Sequence, residues 1–382
     1  MIELALLTGG PGSVRDVNSA RVLATIREHG PISRSELIKK AGLSKATVSV
    51  IVANLLERDA VRESGKQQPA RGRSRILLEF NSAAMTVIGV QLSDDRCQFV
   101  RTDLAGTILD RLDVGIDLSD PTEVPAALAR AIRRLVRRPG GTVLGVGIGV
   151  PGRVDAAGRN VQVALSHDWH EVGLADELER ALDLPITLTN RAKVAALGHL
   201  AAAAGSPADT RVGRDLVYLY LGDGVVSGIV TGGRLLVGHD GTAGDLGHVM
   251  VERRGPLCTC GTRGCLQVLV GGTAIATDAG LDSWEALQRA VAAGEPAALR
   301  AVRRAGDRLG MALGHLVVAV TPSTIAVGGP TARLGAPLLA EIDRAVRRCA
   351  PTAGPVEILP ADDDAPPRGA ALLWLQRAGL LQ

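Results

Sequence analysis

Four side chains that can bind a metal ion lie within one short segment: His248, Cys258, Cys260 and Cys265. Three thiolates and one imidazole complete a tetrahedral shell for Zn²⁺, and a shell without an open position is normally structural rather than catalytic. Glycines between these ligands let the backbone wrap around a small ion. The alternative, a group of buried residues or free thiols, is weaker because four ligands at this spacing rarely coincide. The spacing therefore predicts a structural zinc site.

Polar and basic side chains near the N-terminus have the spacing of a DNA-reading surface. Lys45, Thr47 and Ser49 fall in the first two turns of a predicted helix, where a recognition helix contacts base edges and phosphates. Two β-type stretches, 61–63 and 76–80, enclose a loop in which arginines alternate, and such a loop can follow phosphates or enter a minor groove. The alternatives are a solvated helix face and a charged loop that keeps a linker soluble. The predicted DNA-contacting residues are Ser33, Arg34, Ser44, Lys45, Thr47, Ser49, Arg71, Arg73 and Arg75.

Capping signals predict the helices that position these residues. Residues 19–30 have helical periodicity and end at a Gly-Pro pair. Ser33 and Glu36 fit a capping box that opens a short second helix. Gly42 supplies a turn, and Ser44 caps a third helix with one apolar stripe. Two helices, a glycine turn and a third helix, followed by the arginine loop, predict a winged helix-turn-helix domain over residues 1–80.

Composition and charge limit the remaining function classes. The 382 residues suffice for two or three folded units, and 46% hydrophobic with 22% charged residues indicates a globular protein. Seven aromatic residues are too few for a surface that stacks bases or sugars. Residues 1–80 carry a net charge of +5 and residues 81–382 carry −2, so the first segment is the better polyanion binder. The sequence shows neither a membrane-spanning run nor a signal peptide, and we expect a cytoplasmic protein without membrane contact.

The rest of the chain repeats one order of elements. Three apolar strands, a helix and a further strand begin near residue 86, and a similar order recurs from residue 216. This repetition predicts two related α/β lobes that face a cleft. We expect a small lobe over 81–189, joined by a last helix within 369–382, and a large lobe over 190–368 that carries the zinc loop 248–265. The segment DDDAPP at 362–367 is expected to be a surface loop.

Two segments resemble the ROK family of sugar kinases and sugar-responsive repressors. These are GIGVPGRVD at Gly147–Asp155 and the segment Leu221–Gln267, which contains the predicted zinc ligands. The helix-turn-helix before them resembles the repressor branch, of the xylose and N-acetylglucosamine repressor type. The resemblance implies an α/β fold in which a two-lobed, actin/hexokinase-like (ASKHA) ROK body follows an N-terminal winged helix-turn-helix domain. It also implies a sugar site in the cleft and a homodimer or homotetramer.

The sequence departs from the family kinases where phosphoryl transfer needs specific groups. The stretch Gln91–Asp95 stands in place of the D-x-G-x-T phosphate loop, and Gly222–Gly228 carries an acid and two valines in the second phosphate loop. Family kinases carry Asn-Asp at the catalytic position, whereas this chain has Asn190-Arg191. A guanidinium cannot accept a proton near neutral pH, so the general base is missing. We therefore expect no enzymatic activity.

The predicted effector site is also altered. Asn190, Asp245 and His248 match polar positions of the family's sugar site, although Asp245 replaces the usual Glu and Gln267 replaces another Glu. Loss of carboxylates and gain of Arg191 favours an anionic or phosphorylated sugar-like effector. The alternative is an ion pair between Arg191 and an acid such as Asp245 or Asp223. The predicted effector residues are Gly152, Asn190, Arg191, Asp245, His248 and Gln267, with Lys193 as a further cation nearby.

The sequence as a whole predicts a DNA-binding transcriptional regulator of repressor type. Its partners would be double-stranded operator DNA, a small sugar-like effector and further copies of the chain. The alternatives are a ROK sugar kinase with an attached DNA-binding domain, and an effector-independent DNA-binding protein with structural zinc.

Overall fold

The N-terminal module consists of three helices and a three-stranded antiparallel sheet within the part of the chain described by the computed structural model. That part comprises residues 14–57, 59–67, 75–93, 96–204, 214–378 and 380. The strands lie in the order β1-β3-β2. The elements are α1 (Val14–His29), β1 (Ile32–Ser33), α2 (Arg34–Ala41), α3 (Lys45–Glu57), β2 (Val61–Gln67) and β3 (Arg75–Phe80).

The predicted caps of this module are confirmed. The backbone N–H of Glu36 donates to Ser33 Oγ at 3.4 Å, and Ser33 N–H donates to the Glu36 carboxylate at 3.1 Å. Gly42 ends α2 with a φ of 65°, a value that glycine adopts without strain. Thr47 N–H donates to Ser44 Oγ at 3.1 Å at the start of α3. The helix-turn-helix therefore forms from chemistry encoded within a few consecutive residues.

The first lobe is built on a five-stranded sheet in the order β11-β7-β4-β5-β6. Strands β4, β5 and β6 pair antiparallel, and β7 and β11 extend the sheet in parallel. A 3₁₀ turn at Ser82–Ala84 precedes β4, and β8, β9 and β10 form a small second sheet. The elements are β4 (Met85–Gln91), β5 (Cys97–Asp103), β6 (Ile108–Val114), α4 (Val124–Val136), β7 (Thr142–Val150), β8 (Arg153–Val154), β9 (Val161–Ala164), β10 (Trp169–Val172), α5 (Leu174–Leu182), β11 (Ile186–Asn190) and α6 (Arg191–Ala204).

The second lobe repeats that topology. Strands β12, β13 and β14 pair antiparallel, β15 and β16 extend the sheet in parallel, and the order is β14-β13-β12-β15-β16. The predicted repeat of two α/β lobes is therefore confirmed. The elements are β12 (Leu216–Leu221), β13 (Val225–Thr231), β14 (Arg234–Leu235), a 3₁₀ turn (Leu246–His248), α7 (Gln267–Val270), α8 (Gly272–Asp278), α9 (Trp284–Ala292), α10 (Pro296–Val320), β15 (Thr324–Gly328), a 3₁₀ turn (Pro330–Leu334), α11 (Ala336–Cys349), β16 (Glu357–Pro360) and α12 (Ala365–Arg377).

Helix α12 packs on strands β4, β5 and β7 of the first sheet and crosses α6. The crossing is close because glycines face each other there. A Cβ on Gly369 would lie 1.7 Å from the carbonyl oxygen of Val194, and a Cβ on Gly198 would lie 1.7 Å from that of Ala365. The predicted division into 81–189 with 369–382, and 190–368, stays a proposal that this packing supports.

Two predicted helix boundaries differ from the structure. The first helix begins at Val14 rather than at residue 19. The last helix begins at Ala365, so the prediction of a surface loop through 362–367 was wrong for its second half. Pro366 and Pro367 occupy the first turn, where a helix has no intrahelical partner for the missing N–H groups. The two prolines therefore mark the start of the last helix and not a loop.

One buried apolar cluster joins the N-terminal module to the body. It contains Ile26 and Leu78 from the module together with Val87 of β4 and Leu375 of α12. Separate clusters fill the first lobe and the second lobe. No helix in the described residues is long and apolar enough to span a bilayer.

Candidate functional site

The four predicted metal ligands converge. One ligand atom each from His248, Cys258, Cys260 and Cys265 lies within 4.8 Å of all the others. Cys258 Sγ is 3.7 Å from His248 Nδ1, and the Sγ atoms of Cys260 and Cys265 are 3.6 Å apart. Zinc–sulfur bonds of about 2.3 Å in a tetrahedron place ligand sulfurs about 3.8 Å apart. The donor set and its spacing therefore fit Zn²⁺.

The four side chains can converge because the backbone of loop 248–265 turns sharply at Gly264. Gly264 has a φ of 69°, and a Cβ there would lie 1.6 Å from the carbonyl oxygen of Glu252. The Cys258 N–H donates to the Thr262 carbonyl at 2.8 Å, which closes the turn between the cysteines. Gln267 Nε2 lies 3.4 Å from Cys258 Sγ and can donate to it. Gln267, predicted as an effector contact, thus lies against Cys258, a predicted metal ligand.

The thiols of the cluster differ in acidity. A hydrogen bond from the Thr262 backbone is the largest cause that lowers the pKa of Cys260, to about 6. Burial and the neighbouring sulfurs raise the pKa of Cys265 to about 12. Ionisation of one thiol at this distance disfavours ionisation of its neighbours, whereas a divalent cation would stabilise all of them as thiolates.

Asn190 and Gly152 lie together at the start of α6. Asn190 Nδ2 donates to the Gly152 carbonyl at 2.8 Å, and Asn190 Oδ1 accepts from the Ala192 N–H at 2.9 Å. Gly152 has a φ of 83° and approaches the Val163 carbonyl so closely that a Cβ would lie 2.1 Å from it. Asn190 therefore fixes the junction between strand β11 and helix α6.

The two cations near this junction have different partners. Arg191 is 5% exposed, and its guanidinium lies over the Tyr220 ring, 4.0 Å from the centroid. Lys193 is buried, and its Nζ donates to the Gly241 carbonyl. Burial lowers the pKa of Lys193, and the carboxylates of Asp240 and Asp245 partly oppose that shift. Arg191 thus forms a cation–π contact, while Lys193 holds the loop before Asp245.

A cavity of about 250 Å³ lies between the lobes, lined by residues of both sheets, among them Gln91, Tyr218, Tyr220 and Gly328. Gln91 Oε1 is buried there and has no hydrogen-bond partner among the described residues. Asp223 lies in the segment Gly222–Gly228, which corresponds to the second phosphate loop. It accepts a hydrogen bond from the Thr273 N–H at 2.9 Å and so binds the first turn of helix α8. Asp94 and Asp95 of the first loop lie outside the described residues.

The N-terminal module presents most of the predicted DNA contacts at its surface. Arg34, Ser44, Lys45, Ser49 and Arg75 are exposed, and Thr47 is half-buried. The wing arginines Arg71 and Arg73 lie outside the described residues.

Ser33 is the exception among these predictions. It is 1% exposed, and its hydroxyl lies 2.6 Å from the Glu36 carboxylate. Its prediction as a DNA contact is therefore corrected to that of a helix cap. Strand β1 pairs with β3 through Ser33 and buries it.

Sequence reasoning missed two features of these sites. The ring of Tyr220 that receives Arg191 comes from a remote strand, and no local spacing signals such a partner. The exposed valine Val50 on α3 was also missed, although its position opposite the apolar stripe could have revealed it.

The chain matches two family models. A model described as ROK family matches residues 87–377, and one described as MarR family matches residues 17–68. The second match falls on the helix-turn-helix module.

Several curated relatives are named as repressors. The xylose repressor of Bacillus spizizenii (strain W23) is 29% identical over 266 residues, which cover 69% of this chain and 67% of that protein. The xylose repressor of Caldicellulosiruptor bescii is 26% identical over 345 residues, which cover 84% and 85%. The DNA-binding transcriptional dual regulator NagC of Escherichia coli (strain K12) is 26% identical over 270 residues, which cover 70% and 65%.

Solved structures share the fold. A ROK family transcriptional regulator, described as a homolog of the E. coli MLC protein, aligns with a TM-score of 0.76 at 23% identity and covers 96% of this chain and 98% of that one. A ROK family glucokinase from Streptomyces griseus, solved with glucose and AMPPNP, aligns with a TM-score of 0.66 at 27% identity and covers 75% and 98%. The second alignment leaves about a quarter of this chain outside the glucokinase.

Proposed function

This chain belongs to the ROK family, and from that premise we propose that it is a DNA-binding transcriptional repressor that responds to a sugar-like effector. The observation that carries the proposal is the exposed, basic start of α3 within a winged helix-turn-helix module. Arg34, Ser44, Lys45, Thr47 and Ser49 would contact DNA from the helices. Arg71, Arg73 and Arg75 would contact it from the wing. The xylose repressors and NagC among the relatives support this assignment.

A salt titration of DNA binding tests the proposal. Lys45→Ala removes one cation that would neutralise a phosphate, so the slope of log K against log salt should become less negative by about 0.9. The matched control is Arg130→Ala, which removes an exposed cation on α4 of the body. Equal slopes for the two variants would overturn the assignment of Lys45 as a phosphate contact.

We propose that the body binds its effector without turning it over. Arg191 stands beside Asn190 where family kinases carry a carboxylate, and a guanidinium cannot act as a general base. The effector contacts would come from Gly152, Asn190, Arg191, Asp245, His248 and Gln267, with Lys193 reassigned to holding its loop. A coupled assay over a panel of hexoses with ATP should show no sugar-dependent turnover, and any turnover would restore the kinase alternative.

The proposal also concerns the charge of the effector. Arg191 supplies a cation at the junction of β11 and α6, which favours an anionic or phosphorylated ligand. Calorimetry with glucose and glucose 6-phosphate as probes compares a neutral and an anionic sugar. Stronger binding of the phosphate in the wild type, lost in Arg191→Leu, is expected. Equal binding of both sugars in the wild type would remove the anionic assignment.

We propose a structural Zn²⁺ held by His248, Cys258, Cys260 and Cys265. When bound, the ion would fix the loop that ends at α7 and would neutralise the clustered thiolates. Metal analysis should find one zinc per chain, lost in Cys258→Ala and retained in Cys349→Ala, which alters an isolated cysteine. Equal zinc content in both variants would contradict the site.

The proposal includes a homodimer or homotetramer, because a symmetric operator is read by paired heads. Effector capture between the lobes would alter the spacing of those heads. Light scattering of the full chain measures the oligomeric state, and a monomer would contradict this part.

A further inference from the structure

Helix α3 has a buried apolar face and, opposite to it, an exposed stripe of small uncharged residues with Val50 among them. One face packs in the core of the module and consists of the buried residues Val48, Ile51, Val52 and Leu55. The other face consists of Ala46, Ser49, Val50 and Ala53, which follow the i, i+3, i+4, i+7 spacing of a single stripe and are all exposed. Val50 is 54% exposed. A helix on the surface of a module normally presents charged or polar residues there, so folding does not explain this second stripe.

The charges exposed on α2 and α3 indicate what covers the stripe. Arg34, Lys39, Lys40 and Lys45 are exposed on α2 and at the start of α3. Two acids of the module are engaged within it: Glu36 lies in the capping box, and Glu63 lies 4.0 Å from Arg34. Glu57 is exposed at the C-terminal end of α3, and the four cations outnumber it. A second copy of this surface would bring like charges together, whereas a polyanion would be attracted. The observations therefore favour DNA as the occupant.

The chemistry of the stripe indicates how it would read DNA. None of its four side chains carries a guanidinium or an amide, the groups that make bidentate hydrogen bonds to bases. The major groove displays one apolar group, the C5-methyl of thymine, which small and branched apolar side chains contact. Val50 is the largest apolar side chain of the stripe and lies one and a half turns into α3.

We propose that Val50, flanked by Ala46 and Ala53, recognises a thymine methyl group in the major groove. Val50 is then a specificity-determining residue of the operator complex. This inference rests on the proposed function as a DNA-binding protein. It differs from the phosphate contacts assigned to the basic residues, because those contacts carry no information about sequence.

The test uses double-stranded DNA selected from a randomised pool with the full chain. In the selected sequence each thymine is replaced in turn by deoxyuridine, which removes the methyl group and leaves every hydrogen-bonding group in place. In each half-site, one of these replacements should weaken wild-type binding about fourfold, because burial of one methyl group contributes about that factor to the affinity. Val50→Ala should bind the thymine and deoxyuridine duplexes equally. Val50→Ile should retain the preference.

Val136→Ala is the matched control, because Val136 is a partly exposed valine on α4 of the body. It should keep the wild-type preference. Circular dichroism checks that Val50→Ala is folded, which is expected because Val50 is exposed and alanine favours helix.

The outcomes separate this inference from the proposed function. Failure to select any DNA would refute DNA binding itself. Selection of a DNA whose affinity is insensitive to every deoxyuridine, or an unchanged preference in Val50→Ala, would overturn the role of Val50 while DNA binding stands. A change in oligomeric state of Val50→Ala with an unchanged methyl preference would assign the stripe to a second copy of the chain.

Discussion

Replacement of Gly369 by alanine should force two packed helices apart. The added Cβ would lie 1.7 Å from the Val194 carbonyl oxygen and 2.6 Å from the Gly198 nitrogen, whereas a Cβ atom essentially never comes within 3.0 Å of such atoms. Because both neighbours are backbone atoms, α12 must move as a unit. Overpacking costs about 3 kcal/mol at the upper end of its usual range. The higher helix propensity of alanine recovers about 1 kcal/mol. The unfolding entropy is about 2.1 cal/mol/K per residue, so over 382 residues a net loss of about 2 kcal/mol should lower the Tm by about 2.5 °C.

Thermal unfolding followed by circular dichroism measures this change. Gly115→Ala is the matched control, because the described residues place no atom within 4 Å of a Cβ added at Gly115 and its φ lies outside the range that favours glycine. It should change the free energy of unfolding by less than about 0.5 kcal/mol. Since α12 belongs to the same apolar cluster as the N-terminal module, Gly369→Ala should also weaken DNA binding. Equal Tm values for the two variants would refute the close crossing of α6 and α12.

Three further outcomes are expected. Asp364 accepts hydrogen bonds from Arg111, and these lower the pKa of Asp364. The stability from this pair is therefore present above about pH 4 and lost at lower pH. Asp364→Asn should lower the Tm at pH 7, and the Tm values of the variant and the wild type should converge as the pH falls below about 4. Ser33→Ala removes the acceptor for the Glu36 N–H and should cost about 1 kcal/mol in thermal unfolding, and an unchanged Tm would contradict the cap. Arg191→Asp should not confer sugar phosphorylation in a coupled assay, because the phosphate loops remain altered, and turnover would contradict that explanation.

The features that the sequence predicted well are those encoded by neighbouring residues. The capping box of Ser33 and Glu36 joins groups three residues apart, and the four predicted metal ligands, which converge in the structure, lie within 18 residues of one another. Local chemistry of this kind does not depend on the rest of the fold. The two-lobed topology was also predictable, because the order of strands and helices recurs along the chain.

The features that the sequence did not predict depend on contacts between distant segments. The contact between the Arg191 guanidinium and the Tyr220 ring from β12 was not predicted. The hydrogen bond from the Lys193 ammonium group to the Gly241 carbonyl was also not predicted. Ser33 was expected at the DNA surface, but pairing of β1 with β3 buries it. In each case the unpredicted contact comes from tertiary packing between segments that are distant in the sequence, which local spacing cannot show.

The shared apolar cluster of the N-terminal module and α12 limits how this protein can be recombined with its relatives. Ile26 and Leu375 belong to one core although they come from opposite ends of the chain. A chimera that exchanges residues 1–80 alone would place foreign side chains against α12, and interiors packed to crystal density tolerate such mismatches poorly. A working hybrid regulator would have to receive its head and its final helix from the same parent. The residues to be exchanged are therefore those that share the apolar cluster, and they are not contiguous in the sequence.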